Sequence, residues 1–446
     1  MSEKNNFDKE YKRLTEENVP TLILKLAVPT IISMLVSAVY NMADTYFVGQ
    51  IGTSATAAVG VSFSLMTIIQ AIGFFLGHGS GNFISRSMGE QDYKKSTDMA
   101  SVGFYSSLIC GGLITLIGLI FIEPMAYLFG STDSILPYAI DYMKYILIAA
   151  PFMCASFVLN NQLRFLGKAT YAMIGITSGG VLNMILDPLL IYGFDMGIAG
   201  AAVATMISQV IGFIILLIMV CKYGIKPNLK NFKFHFYYFK QIFNGGLPSL
   251  ARQGCQGIST LCLNNVAGVY GDEAIAAVSI VSKIIMFAAS AMIGYGQGFQ
   301  PVCGVNYGAK KYDRVKKGFW FCIKSSFIVL LGFSVLGFIF APQIIRLFRD
   351  DNNVIEIGKW VLKLQCITFP LTGYVMMTNM MAQTIGKAFK ATILALSRQF
   401  IFFIPLLFIL NHFFGLVGLE CTQAAADLCS IILSVPICRS ILKELK

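Results

Sequence analysis

Residues 197–221 read GIAGAAVATMISQVIGFIILLIMVC, a run without a single charged side chain. About 20 mostly apolar residues are enough to cross the roughly 30 Å hydrocarbon layer of a membrane. Because a helix satisfies its own backbone hydrogen bonds in lipid, this run predicts a membrane-spanning helix. Eleven further stretches of the chain have the same character.

The chain is therefore predicted to be an all-α integral membrane protein with twelve transmembrane helices. Only 13% of its 446 residues are charged, whereas an average soluble chain carries about 25%. The mean hydropathy is +0.69. A soluble enzyme, a disordered chain and a fibrous protein are excluded. The predicted spans lie near residues 21–48, 55–85, 98–121, 134–160, 169–193, 197–221, 240–269, 274–303, 318–341, 354–383, 390–410 and 415–437.

The basic residues predict the orientation of these spans. The two ends of the chain and the loops that follow even-numbered spans carry 25 Lys and Arg, with Arg164 and Lys168 counted in the loop after span 4. The other six loops carry two. Cytoplasmic loops are enriched in Lys and Arg, so both termini are expected in the cytoplasm of a multi-pass protein of the cell membrane. The formal net charge of +11 then needs no nucleic-acid partner.

The second half of the chain repeats the first at one fixed offset. The matching residues are mainly Gly and Pro, which mark special backbone geometry. They include Pro29 with Pro248, Gly52 with Gly271, Gly79 with Gly298, Gly89 with Gly308, Pro151 with Pro370 and Gly167 with Gly386. With a slip of a single position, Gly197 and Gly200 match Gly415 and Gly418.

A parallel repeat of six spans is typical of secondary transporters, whose two lobes expose a central cleft to each side in turn. We expect an N-terminal segment over 1–20, an N-lobe over 21–221, a linker over 222–239 and a C-lobe over 240–446. The chain has no phosphate-binding G-x-x-x-x-G-K-[ST] motif. We therefore expect a transporter that is driven by an ion gradient or is passive, not an enzyme, and no cofactor.

Among the ionisable groups inside predicted spans of the first half, two carboxylates are candidates for a functional site. Asp44 belongs to span 1 and Asp187 to span 5, with Asn183 one turn before it. Ionisable groups at membrane depth are costly and are usually functional. Their counterparts at the repeat offset are Leu263 and Leu406, so the scaffold does not require an acid there. We interpret the two aspartates as one cation site, which either H⁺ or Na⁺ would satisfy.

The second half carries charges of a different kind. Asp427 of span 12 and Arg398 of span 11 are interpreted as a structural ion pair. Lys283 of span 8 either reaches the membrane surface or lines the cleft. Arg252 is expected at the cytoplasmic boundary of span 7, and His78 of span 2 as a packed polar residue.

Several stretches resemble signatures of the multidrug and toxic compound extrusion (MATE) family, in particular its bacterial multidrug exporters. The similarity covers residues 20 to 440. It is carried by NMADTYFVGQIG over 41–52, QGFQPVCGVNYGAK over 297–310, Leu186-Asp187-Pro188 and GIAGAAVAT over 197–205.

The resemblance implies a V-shaped pair of six-helix bundles that exchanges cationic lipophilic compounds for Na⁺ or H⁺. It implies a cation-coupling site at Asp44, Asn183, Asp187 and Thr205, which would also be the metal ligands if Na⁺ is the coupling ion. Tyr40 and Asn160 resemble polar groups of the substrate cavity, for which Lys283 and Gln297 are further candidates. Some members carry coupling carboxylates on spans 7 and 10. Span 7 has none here, and span 10 has only Glu356 at its outer end.

Other transporter classes fit the sequence less well. A flippase for lipid-linked sugars shares the architecture, but its cleft needs many Lys and Arg, and the first-half spans have few. A major facilitator would carry an Arg-rich ending in the loop after span 2, which is absent here, and a channel would show a selectivity-filter segment. The expected partners are small cationic or lipophilic substrates and the lipid bilayer, and a monomer is expected.

Overall fold

The computed structural model describes residues 3–232 and 235–445, and all regular structure in these ranges is helical. A helix lies at each of the twelve predicted spans, which confirms the all-α membrane fold. The spans are Val19–Gly49, Thr53–Gly89, Tyr93–Ile120, Leu136–Phe165, Ala169–Pro188 with a π-helical turn to Gly193, Gly197–Tyr223, Phe236–Gly268, Asp272–Gly308, Tyr312–Ile339, Asn352–Thr384, Ala388–Leu396 with Ser397–Ile401 and Phe403–Phe414, and Leu416–Glu444.

Ten of these helices are long and apolar enough to cross a membrane by length and composition. The other two long helices in the described ranges, spans 7 and 10, have 33 residues each. At 1.5 Å per residue each is about 50 Å long, which is more than a bilayer needs. Shorter helices cover Glu3–Glu16, Ile122–Leu128, Leu229–Asn231 and Ala341–Arg346.

Arg86 and Arg164, both counted as loop cations, lie at the ends of spans that are longer than predicted. Span 2 continues to Gly89 and span 4 to Phe165, so Arg86 and Arg164 belong to the last turns of these helices. Arg164 is only 1% exposed, and its placement in a loop was wrong. The helix continues past the apolar run because packing against neighbouring helices stabilises its polar last turn. Two other loop cations, Lys233 and Lys446, lie outside the described residues.

The internal repeat is visible in the backbone. Gly167 and Gly386, at corresponding positions, have φ of 78° and 86°, and Gln91 and Lys310 have 58° and 57°. These left-handed conformations are unfavourable for residues other than glycine. The same turn is therefore built twice, once in each bundle, at both of these loops.

The two bundles contact each other at one end of the molecule. Span 1 packs on span 8 and span 2 on span 7. Glycines allow this approach, because a Cβ atom at Gly79 would collide with the carbonyl of Ile242, and one at Gly89 with that of Val305. Since spans 2 and 8 end here, this end also carries the basic loops, and we call it the basic end.

Toward the other end the bundles separate. At the contact, Gly294 meets Ile31 and Gly245 meets Gly79. A residue eleven positions further along a helix lies roughly three turns away on nearly the same face, rotated by only about 20°. Residues at that spacing toward the other end face the partner bundle across a gap, and all of them are exposed: Met42, Ile68, Gln256 and Lys283.

The N-terminal helix Glu3–Glu16 lies across the basic end and joins both bundles. Glu10 forms a salt bridge of 2.6 Å with Lys168, after span 4. Arg314, at the start of span 9, donates to the carbonyl of Glu17 at 2.6 Å. Leu14 is fully buried between these anchors. The segment before span 1 is therefore part of the packed structure.

Candidate functional site

Asn183, Asp187 and Thr205 form one cluster between spans 5 and 6. The amide Nδ2 of Asn183 donates to Asp187 Oδ1 at 3.0 Å and lies 3.3 Å from Thr205 Oγ1. Asn183 and Asp187 are brought together by the four-residue spacing of one helix, whereas Thr205 comes from the neighbouring helix. All three side chains are buried.

Asp44 of span 1 is held by a residue that the sequence analysis missed. The hydroxyl of Tyr142, on span 4, donates to Asp44 Oδ2 at 3.4 Å. Asp44 is buried and lies close enough to Asp187 for the two carboxylates to interact electrostatically. Tyr142 is fully buried. Its position in an apolar span gave no signal, because only the tertiary fold brings these two side chains together.

Three buried oxygen atoms of this cluster have no hydrogen-bond partner: Asp44 Oδ1, Asn183 Oδ1 and Asp187 Oδ2. A buried acceptor without a partner costs about 1–3 kcal/mol, and more when it is charged. Hard cations prefer oxygen ligands of this type, and a proton would satisfy a carboxylate equally. The donor set therefore fits a small cation.

The described residues contain no cluster of three or more His, Cys, Asp or Glu side chains that could hold a metal ion. Such clusters are typical of zinc and other transition metals. A Na⁺ site does not need one, because amide and hydroxyl oxygens complete its ligands. The two carboxylates with Asn183 and Thr205 are of that type.

Among the residues that the structure describes, the second bundle has no equivalent of this cluster. Leu263 and Leu406 occupy the corresponding positions. One buried carboxylate of the second bundle is instead paired with an arginine: Arg398 Nε donates to Asp427 Oδ1 at 2.6 Å. Gln423 also donates to Asp427 Oδ1, at 2.9 Å. The structure thus contains the ion pair that the sequence analysis interpreted as structural.

Tyr40 lies at the edge of the candidate cation site. Its ring packs against Gly180 of span 5, where a Cβ atom would come within 3.2 Å of it. It lies within electrostatic range of both Asp44 and Asp187. Of the four residues predicted to line the substrate cavity, Tyr40 is the one next to the aspartates.

Asn160 has a structural partner. Its Nδ2 donates to the carbonyl of Ala172 at 3.0 Å. Its counterpart in the repeat, Asn379, donates to the carbonyl of Ala391 at 2.6 Å. The same side-chain to backbone bond therefore links spans 4 and 5 and spans 10 and 11, which favours a role in the scaffold of each bundle.

Lys283 and Gln297, both on span 8, lie in different surroundings. Lys283 is exposed and faces the gap on the same side of its helix as Gly294. Gln297 is buried, beside Gly298, where span 8 packs on Ala27 of span 1. The first lines the open part of the gap, and the second lies in the closed part.

Arg252 lies in the middle of span 7. It is the seventeenth residue of span 7, about 24 Å along the helix from Phe236, and is half-buried. The expectation that it marks the cytoplasmic boundary of span 7 stays a prediction. His78 is buried, as predicted for a packed polar residue, but its partner is Arg164 at 3.2 Å.

Comparison with known proteins identifies the family. The family model MatE matches residues 29–189 and again 248–409, and the two matches begin at Pro29 and its repeat counterpart Pro248. The multidrug export protein MepA of Staphylococcus haemolyticus (strain JCSC1435) is 29% identical over 414 residues, which are 92% of this chain and 91% of the relative. MepA of Staphylococcus aureus (strain N315) is 30% identical over 413 residues, with the same coverage of both chains.

Solved structures agree with these relatives. A multidrug resistance MATE family transporter of the MOP superfamily, in an outward-facing conformation, matches with a TM-score of 0.92 and 27% identity over 97% of this chain and 98% of its own. A MOP superfamily transporter from Pyrococcus furiosus Vc1 (DSM3638), described as having a binding pocket of reverse polarity, matches with a TM-score of 0.92 and 28% identity over 98% of both chains. The chain is a multi-pass membrane protein that belongs to the MatE family.

Proposed function

We propose that this protein is a secondary multidrug exporter that exchanges cationic lipophilic compounds for H⁺ or Na⁺. The observation that carries the proposal is the cluster of unpartnered buried oxygens at Asp44, Asn183 and Asp187. The cluster has no counterpart among the described residues of the second bundle, so the repeated scaffold does not explain it. The MepA relatives are named as multidrug export proteins, which supports the same activity here.

The coupling follows from the position of the cluster. Asp44 belongs to span 1, and the same helix packs on span 8 of the second bundle through Ile31 and Gly294. A cation bound at Asp44 and Asp187 would neutralise their mutual repulsion and draw spans 1 and 5 together. Any such movement of span 1 changes its contact with the second bundle, and so favours one of two packings of the bundles.

The open gap is suited to the proposed substrates. Met42 and Phe287, from opposite bundles, are exposed at the gap. Methionine adapts its shape to different ligands, and aromatic faces attract cations. We propose that substrates bind between these surfaces, next to Tyr40, and leave as the bundles rock. The protein would act as a monomer in the cell membrane, with both termini in the cytoplasm and no catalytic step.

A flippase for lipid-linked sugars is the second candidate. The small number of cations in the predicted first-half spans counts against a flippase. Arg164 now lies inside span 4, and Arg252 lies deep in span 7. Two arginines favour an anionic headgroup more than the sequence indicated. The unpartnered oxygens of Asp44, Asn183 and Asp187 favour cation exchange. The experiment must therefore distinguish a cation-coupled exporter from a flippase.

Reconstituted proteoliposomes test the proposal. We expect a pH or sodium gradient, imposed separately, to drive transport of a cationic dye such as ethidium. The gradient that works identifies the coupling ion. Asp44→Asn and Asp187→Asn should each reduce gradient-driven transport at least about tenfold, because the loss of a charged ligand costs more than about 1.4 kcal/mol.

The matched control is Asp141→Asn, which removes an exposed aspartate at the start of span 4. It should transport as the wild type does. Wild-type rates in both Asp44→Asn and Asp187→Asn would refute the coupling site. Gradient-independent movement of a lipid-linked sugar, with no movement of the dye, would favour the flippase.

A further inference from the structure

Arg164 is the largest fully buried side chain in the described part of the molecule. One amino group, Nη2, is occupied: it contacts Asn161 Oδ1 and lies 3.2 Å from His78 Nε2. Its Nε and Nη1 atoms have no hydrogen-bond partner. An arginine remains charged in proteins, so three N–H donors of a permanent cation are left without an acceptor.

His78 does not relieve this charge. Its Nδ1 lies 3.2 Å from the carbonyl of Phe74, which can only accept, so Nδ1 carries the proton. Nε2 is then the acceptor for Arg164 and the imidazole is neutral. His78 and Asn161 together orient the guanidinium, and neither supplies a negative charge. No carboxylate in the described ranges forms an ion pair with Arg164.

A second arginine lies nearby on the other bundle. Arg252 of span 7 acts electrostatically on both Arg164 and His78. It follows Gly245 by two helical turns on the same face, and Gly245 contacts Gly79 of span 2. Arg252 is thus directed at the first bundle at the level where the gap closes, and no ion pair is formed by it in the described residues. The two arginines, one from each bundle, are thus close enough to interact electrostatically near the floor of the gap.

The scaffold does not need a charge at this place. The repeat counterpart of Arg164 is Gln383, which donates to Gly245 O and Ser249 Oγ, both at 2.8 Å. The counterpart of His78 is Gln297. The second bundle therefore packs with neutral side chains where the first has a buried cation. Removing a charge from water without a partner is strongly unfavourable, which requires a compensating interaction.

We propose that Arg164 and Arg252 form an anion-binding site at the floor of the gap. Its ligand is a small, singly charged anionic group: a halide from solution, or the carboxylate of a substrate whose apolar part lies in the gap. The three free N–H donors of Arg164 match such a group. An inorganic anion bound here would also neutralise the positive charge of the two arginines, which otherwise repels cationic compounds from the floor of the gap. This site is distinct from the cation site, and either one can fail without the other.

Thermal unfolding of the purified full-length protein tests the site. Sodium bromide replaces the sodium salt of HEPES, a bulky sulfonate, at a constant sodium concentration, so that the occupancy of the cation site does not change. A ligand that binds only the folded state raises the Tm with its concentration. We expect a rise of about 2 °C or more with bromide in the wild type. The rise should be lost in Arg164→Gln, which introduces the residue type of Gln383, and reduced in Arg252→Gln.

The matched control is Arg439→Gln, an exposed arginine of span 12, which should keep the full bromide effect. Benzoate and benzamide distinguish the two sources of the anion. A larger effect of benzoate than of bromide, with none from benzamide, assigns the site to an anionic substrate. An effect of bromide alone assigns it to an inorganic ion.

The proposal is overturned if no anion shifts the Tm of the wild type, or if the shift persists in Arg164→Gln. If Arg164→Gln does not fold, the proposal is tested by the bromide-dependent Tm shift of Arg252→Gln and by the anomalous signal of bromide-soaked wild-type crystals. An anomalous bromide peak in contact with Arg164 supports the site. The absence of that peak, together with an unchanged shift in Arg252→Gln, overturns it.

Discussion

Arg86 of the first bundle donates a hydrogen bond of 2.6 Å from Nη1 to the carbonyl of Thr384 in the second bundle. Its Nη2 lies 3.5 Å from Gln241 Oε1 of span 7. A second bond across the same seam joins Tyr238 to Asp98 at 3.0 Å. These contacts exist only while the bundles meet at the basic end, so they favour the state in which the gap opens to the other side.

Replacing Arg86 should weaken this closure. A hydrogen bond to a charged group contributes about 1.5–3 kcal/mol, so Arg86→Gln should shift the ratio of closed to open basic ends about tenfold or more. Cys303 reports the change, because it is buried beside Arg86. We expect faster maleimide labelling of Cys303, measured by mass spectrometry.

Two other cysteines serve as internal references for the Arg86 experiment. Cys322 is buried and should stay slow, and Cys221 is exposed and should label at once in every variant. The control variant is Lys94→Gln, an exposed cation near the same end. Equal labelling of Cys303 in Arg86→Gln and the wild type would contradict the role of Arg86.

Close backbone contact at the seam depends on Gly79. A Cβ atom there would overlap the carbonyl and Cα of Ile242, so Gly79→Ala should separate spans 2 and 7 at the basic end. We expect loss of most gradient-driven dye transport in proteoliposomes. Gly60→Ala is the control on the same helix, because nothing lies within 4 Å of the added atom. A transport rate in Gly79→Ala equal to that of Gly60→Ala would show that the contact is not required.

Tyr142→Phe removes the hydroxyl that donates to Asp44 and leaves the shape of the side chain. A hydrogen bond to a carboxylate favours its charged, unliganded form, so its loss should tighten binding of the coupling cation. A net change of about 0.5–1.5 kcal/mol corresponds to a roughly two- to tenfold lower half-saturating ion concentration. Transport rates measured against the concentration of the coupling ion test this, and an unchanged or higher value would contradict it.

The pair of Arg398 and Asp427 should matter for stability and not for transport. Asp427 is almost fully buried and Arg398 is about one-quarter exposed. Breaking a buried pair from one side costs about 3 kcal/mol, so Asp427→Leu should lower the Tm. The double variant Arg398→Met with Asp427→Leu should recover much of that stability. Loss of transport in a stable double variant would instead assign the pair a functional role.

The amino-acid sequence by itself determined the fold and its duplication. Apolar runs long enough to cross a bilayer have one stable solution in lipid, the helix. The Gly and Pro positions that recur at a fixed offset mark backbone turns such as those at Gly167 and Gly386. The asymmetry between the aspartates and their leucine counterparts was also visible, because a charge inside an apolar run stands out without any knowledge of packing.

Tertiary structure alone decided which side chains meet. Tyr142 belongs to a different span from Asp44, and Arg164 was indistinguishable from a loop cation until span 4 was seen to continue to Phe165. Asn160 resembles a cavity residue, and its bond to the Ala172 carbonyl is a contact that the sequence did not indicate. Contacts between helices depend on their rotation and depth in the membrane, and these are set by packing over the whole bundle, which a linear pattern of residues does not contain.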